Sequence, residues 1–140
     1  MHDDNERKKQ WLYRYKNNRD KISRLQDKLI TLDNRITSMR SPNYSSMPRG
    51  GTPVTIEELL SDKADLEKRI ERLKDKGNKY RREIQEAIDN IDSEKYAEVL
   101  ESWFIGNMSA DDIGELMGYS SRYIFMLYSK ALKEIKIDLE

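Results

Sequence analysis

Residues 108–135 read Met-Ser-Ala-Asp-Asp-Ile-Gly-Glu-Leu-Met-Gly-Tyr-Ser-Ser-Arg-Tyr-Ile-Phe-Met-Leu-Tyr-Ser-Lys-Ala-Leu-Lys-Glu-Ile. Their spacing predicts helix, tight turn, helix. Ser109 is a helix-capping residue, and Asp112 stands three positions on, in the capping-box place. Ile113, Leu116 and Met117 give the short first helix an apolar face. Gly118 follows, where a left-handed C-terminal cap is expected. Ser120 or Ser121 then caps a second helix, whose apolar residues Ile124, Leu127, Ala131, Leu132 and Ile135 recur at helical spacing. Two short helices joined by a Gly-containing turn form a helix-turn-helix, whose second helix can enter a DNA major groove. An ordinary helical hairpin without a ligand has the same spacing.

The covering positions of the second helix also define its free face. If Ile124, Leu127, Ala131 and Ile135 point inward, then Ser121, Arg122, Phe125, Met126 and Ser129 point outward. With Lys130 and Lys133 they are the expected DNA-facing set. Arg122 is the residue there able to make a bidentate contact to guanine. Lys130 and Lys133 suit phosphates. Phe125 and Met126 suit either thymine methyl groups or a protein surface.

Ser120, Tyr123-Ile124 and Lys130-Ala131-Leu132 carry a family resemblance. The segment from Ile91 to Ile137 resembles the fourth region of bacterial sigma-70 factors. There, Ser, two variable residues, Thr-Val and, further on, Arg-Ala-Leu mark the recognition helix. Gly114 stands where Ala is usual, and Tyr123 replaces a small Thr. The whole chain also resembles small regulators of Gram-positive phages, of the ArpU and RinA type. The run from Met39 to Gly51 is similar to their Ser- and Pro-rich connector. The resemblance implies a sigma-region-4-like module behind a helical N-terminal part, double-stranded promoter DNA as partner, and activation of phage genes in a bacterial cytoplasm.

Charge is distributed unevenly along the chain. The 26 basic and 26 acidic residues cancel. Residues 1–41 carry 11 basic and 6 acidic residues, residues 42–91 carry 10 and 10, and residues 92–140 carry 5 and 10. The C-terminal segment is therefore acidic, a poor match to DNA phosphates. Its carboxylates Asp92, Glu94, Glu98, Glu101, Asp111, Asp112 and Glu115 all precede the second helix, however. That helix carries Arg122, Lys130, Lys133 and Lys136 against Glu134. Binding by one module is expected to be weak and salt-sensitive, and strengthened by dimerisation or by RNA polymerase.

Upstream, the expected fold is all-α: a long helical hairpin over residues 1–91, then the three-helix module of residues 92–140. From about Asn5 to Thr37 the apolar positions include Trp11, Tyr15, Ile22, Leu25, Leu29, Leu32 and Ile36, the last five at heptad spacing. Asn18 shares that seam, either buried as a register-setting residue or wet. Pro42, Pro48, Pro53, Gly50 and Gly51 make residues 38–54 a loop, flanked by Arg40 and Arg49 as candidate phosphate contacts. Thr55 and Glu58 then open a second long helix with the seam Leu59, Leu66, Ile70, Leu73, Tyr80, Ile84, Ala87 and Ile91. Lys63 and Gly77 interrupt it, and Gly77 is a candidate bend. The two seams can pair within one chain or between chains, so a homo-oligomer is expected. A helix from Ser93 to Phe104 completes the module with Tyr96, Leu100, Trp103 and Phe104, and Asp92-Ser93 is a candidate hinge.

The same residues argue against other classes. Cysteine is absent and the one histidine is His2, which leaves no His- or Cys-based catalytic site. No metal, cofactor or enzymatic activity is expected. No apolar run reaches membrane-span length. Two further readings stay open. One is an adaptor that binds RNA polymerase or a sigma factor without touching DNA. The other is a phage DNA-packaging recognition subunit.

Overall fold

The structure is a computed structural model and describes residues 2–40 and 54–139. The elements are α1 (His2–Leu12), α2 (Arg14–Arg40), α3 (Ile56–Asp89), α4 (Glu94–Leu100), a π-helical turn (Glu101–Ile105), α5 (Ala110–Met117) and α6 (Ser121–Glu134). No strand occurs among the described residues, so the all-helical expectation holds. The loop expected at 38–54 starts later than read, since α2 runs to Arg40; residues 41–53, with Arg49, lie outside the described residues.

Residues 1–19 and 76–140 form one compact unit, and residues 20–75 another. This division differs from the expected one at 91/92. The reason is packing. Leu12 of α1 and Ile84 and Ile88 of α3 are buried in the same apolar cluster as Val99, Leu100, Phe104, Ile113 and Ile124. Asp92-Ser93 therefore lies inside the first unit, where Ser93 caps α4 by accepting the Tyr96 N–H.

In the first unit, α1 and α2 form one bent helix. The Tyr13 N–H donates to Lys9 at 2.8 Å and the Asn17 N–H to Tyr13 at 2.9 Å, so the hydrogen-bond ladder crosses the join. At the bend, Arg14 Nε donates to the Trp11 carbonyl at 2.9 Å. A side chain competing for a ladder carbonyl is a known cause of bending. The Arg14 guanidinium then lies over both the Trp11 and Tyr80 rings, 4.4 and 4.5 Å from their centroids, and meets Glu83 at 3.3 Å. The bend shifts the helix phase. Leu12 becomes the fully buried residue, while Trp11 and Tyr15 are half-buried.

Asn18 and Gly77 meet across the pair formed by α2 and α3. Asn18 is buried, and its Oδ1 has no hydrogen-bond partner. Gly77 is buried too, and α3 passes through it without interruption. The missing β-carbon there serves the close approach of Asn18. Arg14 opposite Glu83 and Asn18 opposite Gly77 make the pairing antiparallel in this unit.

The second unit is a hairpin of the remaining parts of α2 and α3. Glu58 N–H donates to Thr55 Oγ1 at 3.2 Å, which caps α3 as read from the sequence. Leu25, Leu59, Ile36 and Ile70 are buried, and Ile22, Leu29, Leu32, Leu66 and Leu73 are half-buried. Four seam residues are thus covered within a single chain, and the other five are only partly covered. Lys63 interrupts it without being buried, because it turns to Asp33 of α2 at 2.9 Å. Asp33 holds the Lys63 ammonium above its ordinary pKa, first by hydrogen bonding and then by its charge.

Candidate nucleic-acid interface

The helix-turn-helix is built by three short-range devices. Ser109 Oγ accepts the Asp112 N–H at 3.1 Å and starts α5. Gly118 ends it in the left-handed conformation at φ 80°, and the N–H groups of Gly118 and Tyr119 both donate to the Gly114 carbonyl at 2.8 Å. Ser120 Oγ, not Ser121, then accepts the Tyr123 N–H at 3.2 Å and starts α6. A turn of Gly118, Tyr119 and Ser120 thus separates the helices.

The buried side of α6 is wider than its apolar spacing showed. Ile124, Leu127, Ala131, Leu132 and Ile135 are buried as expected, and Tyr128 joins them. Its ring stacks on Trp103 with centroids 4.0 Å apart. Burial, with Tyr13 and Glu6 nearby, pushes the Tyr128 phenol well above its ordinary pKa. Trp103 Nε1 donates to the Tyr13 hydroxyl at 3.0 Å. In α5 the buried residues are Ala110, Ile113 and Gly114, with Met117 half-buried, whereas Leu116 is exposed. The expected place of Leu116 in the apolar face is therefore corrected: it lies one residue out of phase with the Ala110, Ile113–Gly114, Met117 stripe.

The free face of α6 carries Arg122, Phe125, Met126, Ser129, Lys130 and Lys133, all exposed. Ser121 differs. It is half-buried, and its hydroxyl donates to the Asp111 carboxylate of α5. It tethers the two helices rather than standing free. Phe125 is 53% exposed, but its ring meets the edge of Trp103 at 5.8 Å.

Several contributors come from far along the chain. Lys95 of α4 lies 5.3 Å from the Tyr119 ring and 5.8 Å from the Tyr123 ring. Hydrogen bonds that its ammonium donates first to Tyr119 and then to Tyr123 hold it above the ordinary lysine pKa. This places a cation at the start of α6. At the other end, Lys8 Nζ donates to the Leu132 and Lys133 carbonyls at 3.0 and 3.4 Å, and Arg7 donates to the Leu139 carbonyl at 2.7 Å. Cations suit the negative end of a helix dipole. Lys8 and Lys95 could not be assigned from periodicity, because each reaches α6 or its flanks from another element, whereas Trp103 packs against the module's core as its place in the apolar face implied. The carboxylates Asp111, Asp112 and Glu115 are exposed on α5.

A family model described as "Protein of unknown function (DUF1492)" matches residues 38–136. The chain belongs to the DUF1492 family. No curated protein and no solved structure matches it. The DUF1492 match spans the helix-turn-helix and α3 but stops short of α1. In this DUF1492 chain, α1 nevertheless supplies Leu12 to the core beneath α6 and Lys8 to its C-terminus.

Proposed function

We propose that this protein is a transcription regulator of phage or prophage origin that binds promoter DNA by laying α6 in the major groove. The observation that carries the reading is the free face of α6. A basic and polar row of Arg122, Ser129, Lys130 and Lys133 stands exposed on a helix fixed by a left-handed glycine turn and a serine cap. Its resemblance to a sigma-70 region 4 module and to ArpU- and RinA-type regulators supports transcription as the process and activation as its direction. The role proposed is binding, not catalysis. In this reading Arg122 reads a base, Lys130 and Lys133 meet phosphates, and Ser121 holds the turn rigid through Asp111.

A second reading is favoured by one observation. Phe125 and Met126 are exposed beside Arg122, and apolar side chains of that size suit a protein surface. That surface would be RNA polymerase or a sigma factor.

Binding to fragments of the parent genome, with and without RNA polymerase, tests both. Arg122→Ala should lose about tenfold to hundredfold in specific binding, the worth of one bidentate base contact. Lys130→Ala and Lys133→Ala should weaken binding to all sequences and flatten its salt dependence. If Arg122→Ala binds DNA normally while Phe125→Ala loses the polymerase, the adaptor reading stands and the DNA reading fails.

A further inference from the structure

Lys95, Tyr119 and Tyr123 come from α4, the turn and α6, and their side chains meet at one point. The two rings pack edge to face with centroids 4.7 Å apart. The Lys95 ammonium lies 5.3 and 5.8 Å from those centroids and donates to both hydroxyls. All three side chains reach solvent: Lys95 and Tyr119 are exposed and Tyr123 is half-buried. Fixing an exposed lysine costs rotamer freedom. Here two phenols hold it. A carboxylate would also neutralise its charge, but exposed Glu94 and Glu98 of α4 are not the groups that hold it.

The cluster is a set of donors. An ammonium has three N–H groups and no acceptor, and two of them are directed at the phenols. Each phenol oxygen turns a lone pair to the ammonium, which leaves its O–H to donate outward. One N–H, two O–H groups and one positive charge remain. That set matches a phosphate oxygen, which accepts and never donates. Position then names the source. Tyr123 and Lys130 are seven residues apart, so they share one edge of α6, about 10 Å apart along its axis. The cluster and Lys130 therefore stand along the same flank of the exposed face.

We propose that Lys95, Tyr119 and Tyr123 form a binding site for a backbone phosphodiester of double-stranded DNA, at the N-terminal end of the edge of α6 that carries Lys130. The inference rests on the reading that α6 lies in the major groove. It adds a contact that is blind to sequence and is supplied from α4. Two phosphate contacts on one edge fix the orientation of α6 in the groove, where one alone would let it pivot.

Equilibrium binding of the full chain to two duplexes tests it, one of mixed sequence and one recovered from the parent genome with the protein itself. Lys95→Gln should weaken binding to both by a similar factor, about fivefold to tenfold, and lower the slope of log affinity against log salt by about one. Tyr119→Phe with Tyr123→Phe removes the hydroxyls and no charge, so affinity should fall with the slope kept. Adding Lys95→Gln to that pair should cost less than it does in the wild type, because the three groups act as one site. Lys95→Arg keeps the charge and should keep most of the affinity. Circular dichroism melting curves matching the wild type establish that the variants are folded. The proposal is overturned if Lys95→Gln binds both duplexes as the wild type does, or if its loss is confined to the recovered duplex, which would make Lys95 a base contact. It is also overturned if Lys95→Gln and Lys95→Arg lose binding and melting temperature together, which would make the cluster a brace for the turn. DNA binding intact with RNA polymerase binding lost would make it a protein contact and overturn it as well. A wild type that binds neither duplex sinks the DNA reading and this site with it, an outcome distinct from all of these.

Discussion

The β-carbon that Gly114 lacks would lie 2.5 Å from the carbonyl oxygen of Tyr119. That oxygen belongs to the backbone of the turn and cannot rotate away. The tight approach of the turn explains why a residue without a β-carbon stands at position 114. Gly114→Ala should therefore destabilise the protein by about 1–3 kcal/mol, the usual cost of overpacking. It should do so despite the better helix propensity of Ala. Urea unfolding followed by circular dichroism measures this; an unchanged midpoint would mean that the turn has room to relax.

Asn18 and Gly77 should be energetically coupled. A β-carbon on Gly77 would lie 2.5 Å from Asn18 Oδ1. Gly77→Ala alone should thus destabilise, although Ala in mid-helix is worth about 1 kcal/mol over Gly. Asn18→Ala removes both the clash and a buried oxygen without a partner. In that background Gly77→Ala should become stabilising. A double-mutant cycle gives the coupling directly. Additive effects would show that the two helices shift apart without cost.

The tyrosine cluster sets an alkaline limit. Burial raises the Tyr128 phenol above its ordinary pKa of 10.0. A raised acid prefers its neutral form in the folded state. Its contribution is complete below about pH 10 and is lost as pH climbs towards the folded value. Melting temperature should fall more steeply above pH 10 in the wild type than in Tyr128→Phe. Equal slopes would assign the alkaline loss to other groups.

Local signals were legible in the sequence, and long-range ones were not. Thr55, Ser109, Gly118 and the inward row from Ile124 to Ile135 are each decided by neighbours within a turn or two. Leu25, Ile36, Ile70 and Ile84 follow from heptad or helical spacing alone. Leu12, Ile88, Val99 and Tyr128 were missed because their burial depends on packing partners elsewhere in the chain. Leu12 faces inward only after the bend at Tyr13, which arises from Arg14 and the aromatic pair Trp11 and Tyr80. Ser121 looked free on the α6 wheel, but Asp111 claims its hydroxyl from α5.

The core that supports α6 is discontinuous in sequence, and this has a direct consequence for truncation. Leu12, Ile84 and Ile88 are each at most 1% exposed and pack in the cluster that contains Ile113, Ile124 and Leu127. Burying such a side chain contributes roughly 2 kcal/mol. Losing three removes about 6 kcal/mol, against the typical 5–15 kcal/mol stability of a whole domain. A fragment of residues 92–140 also falls near the size at which a single core is marginal. It should therefore show weak helical circular dichroism, no cooperative thermal transition and poor amide dispersion by NMR. Adding residues 1–91 back in the intact chain should restore all three. A cooperative transition in the isolated fragment would mean that α4, α5 and α6 suffice by themselves, and that Leu12, Ile84 and Ile88 cover a core already complete.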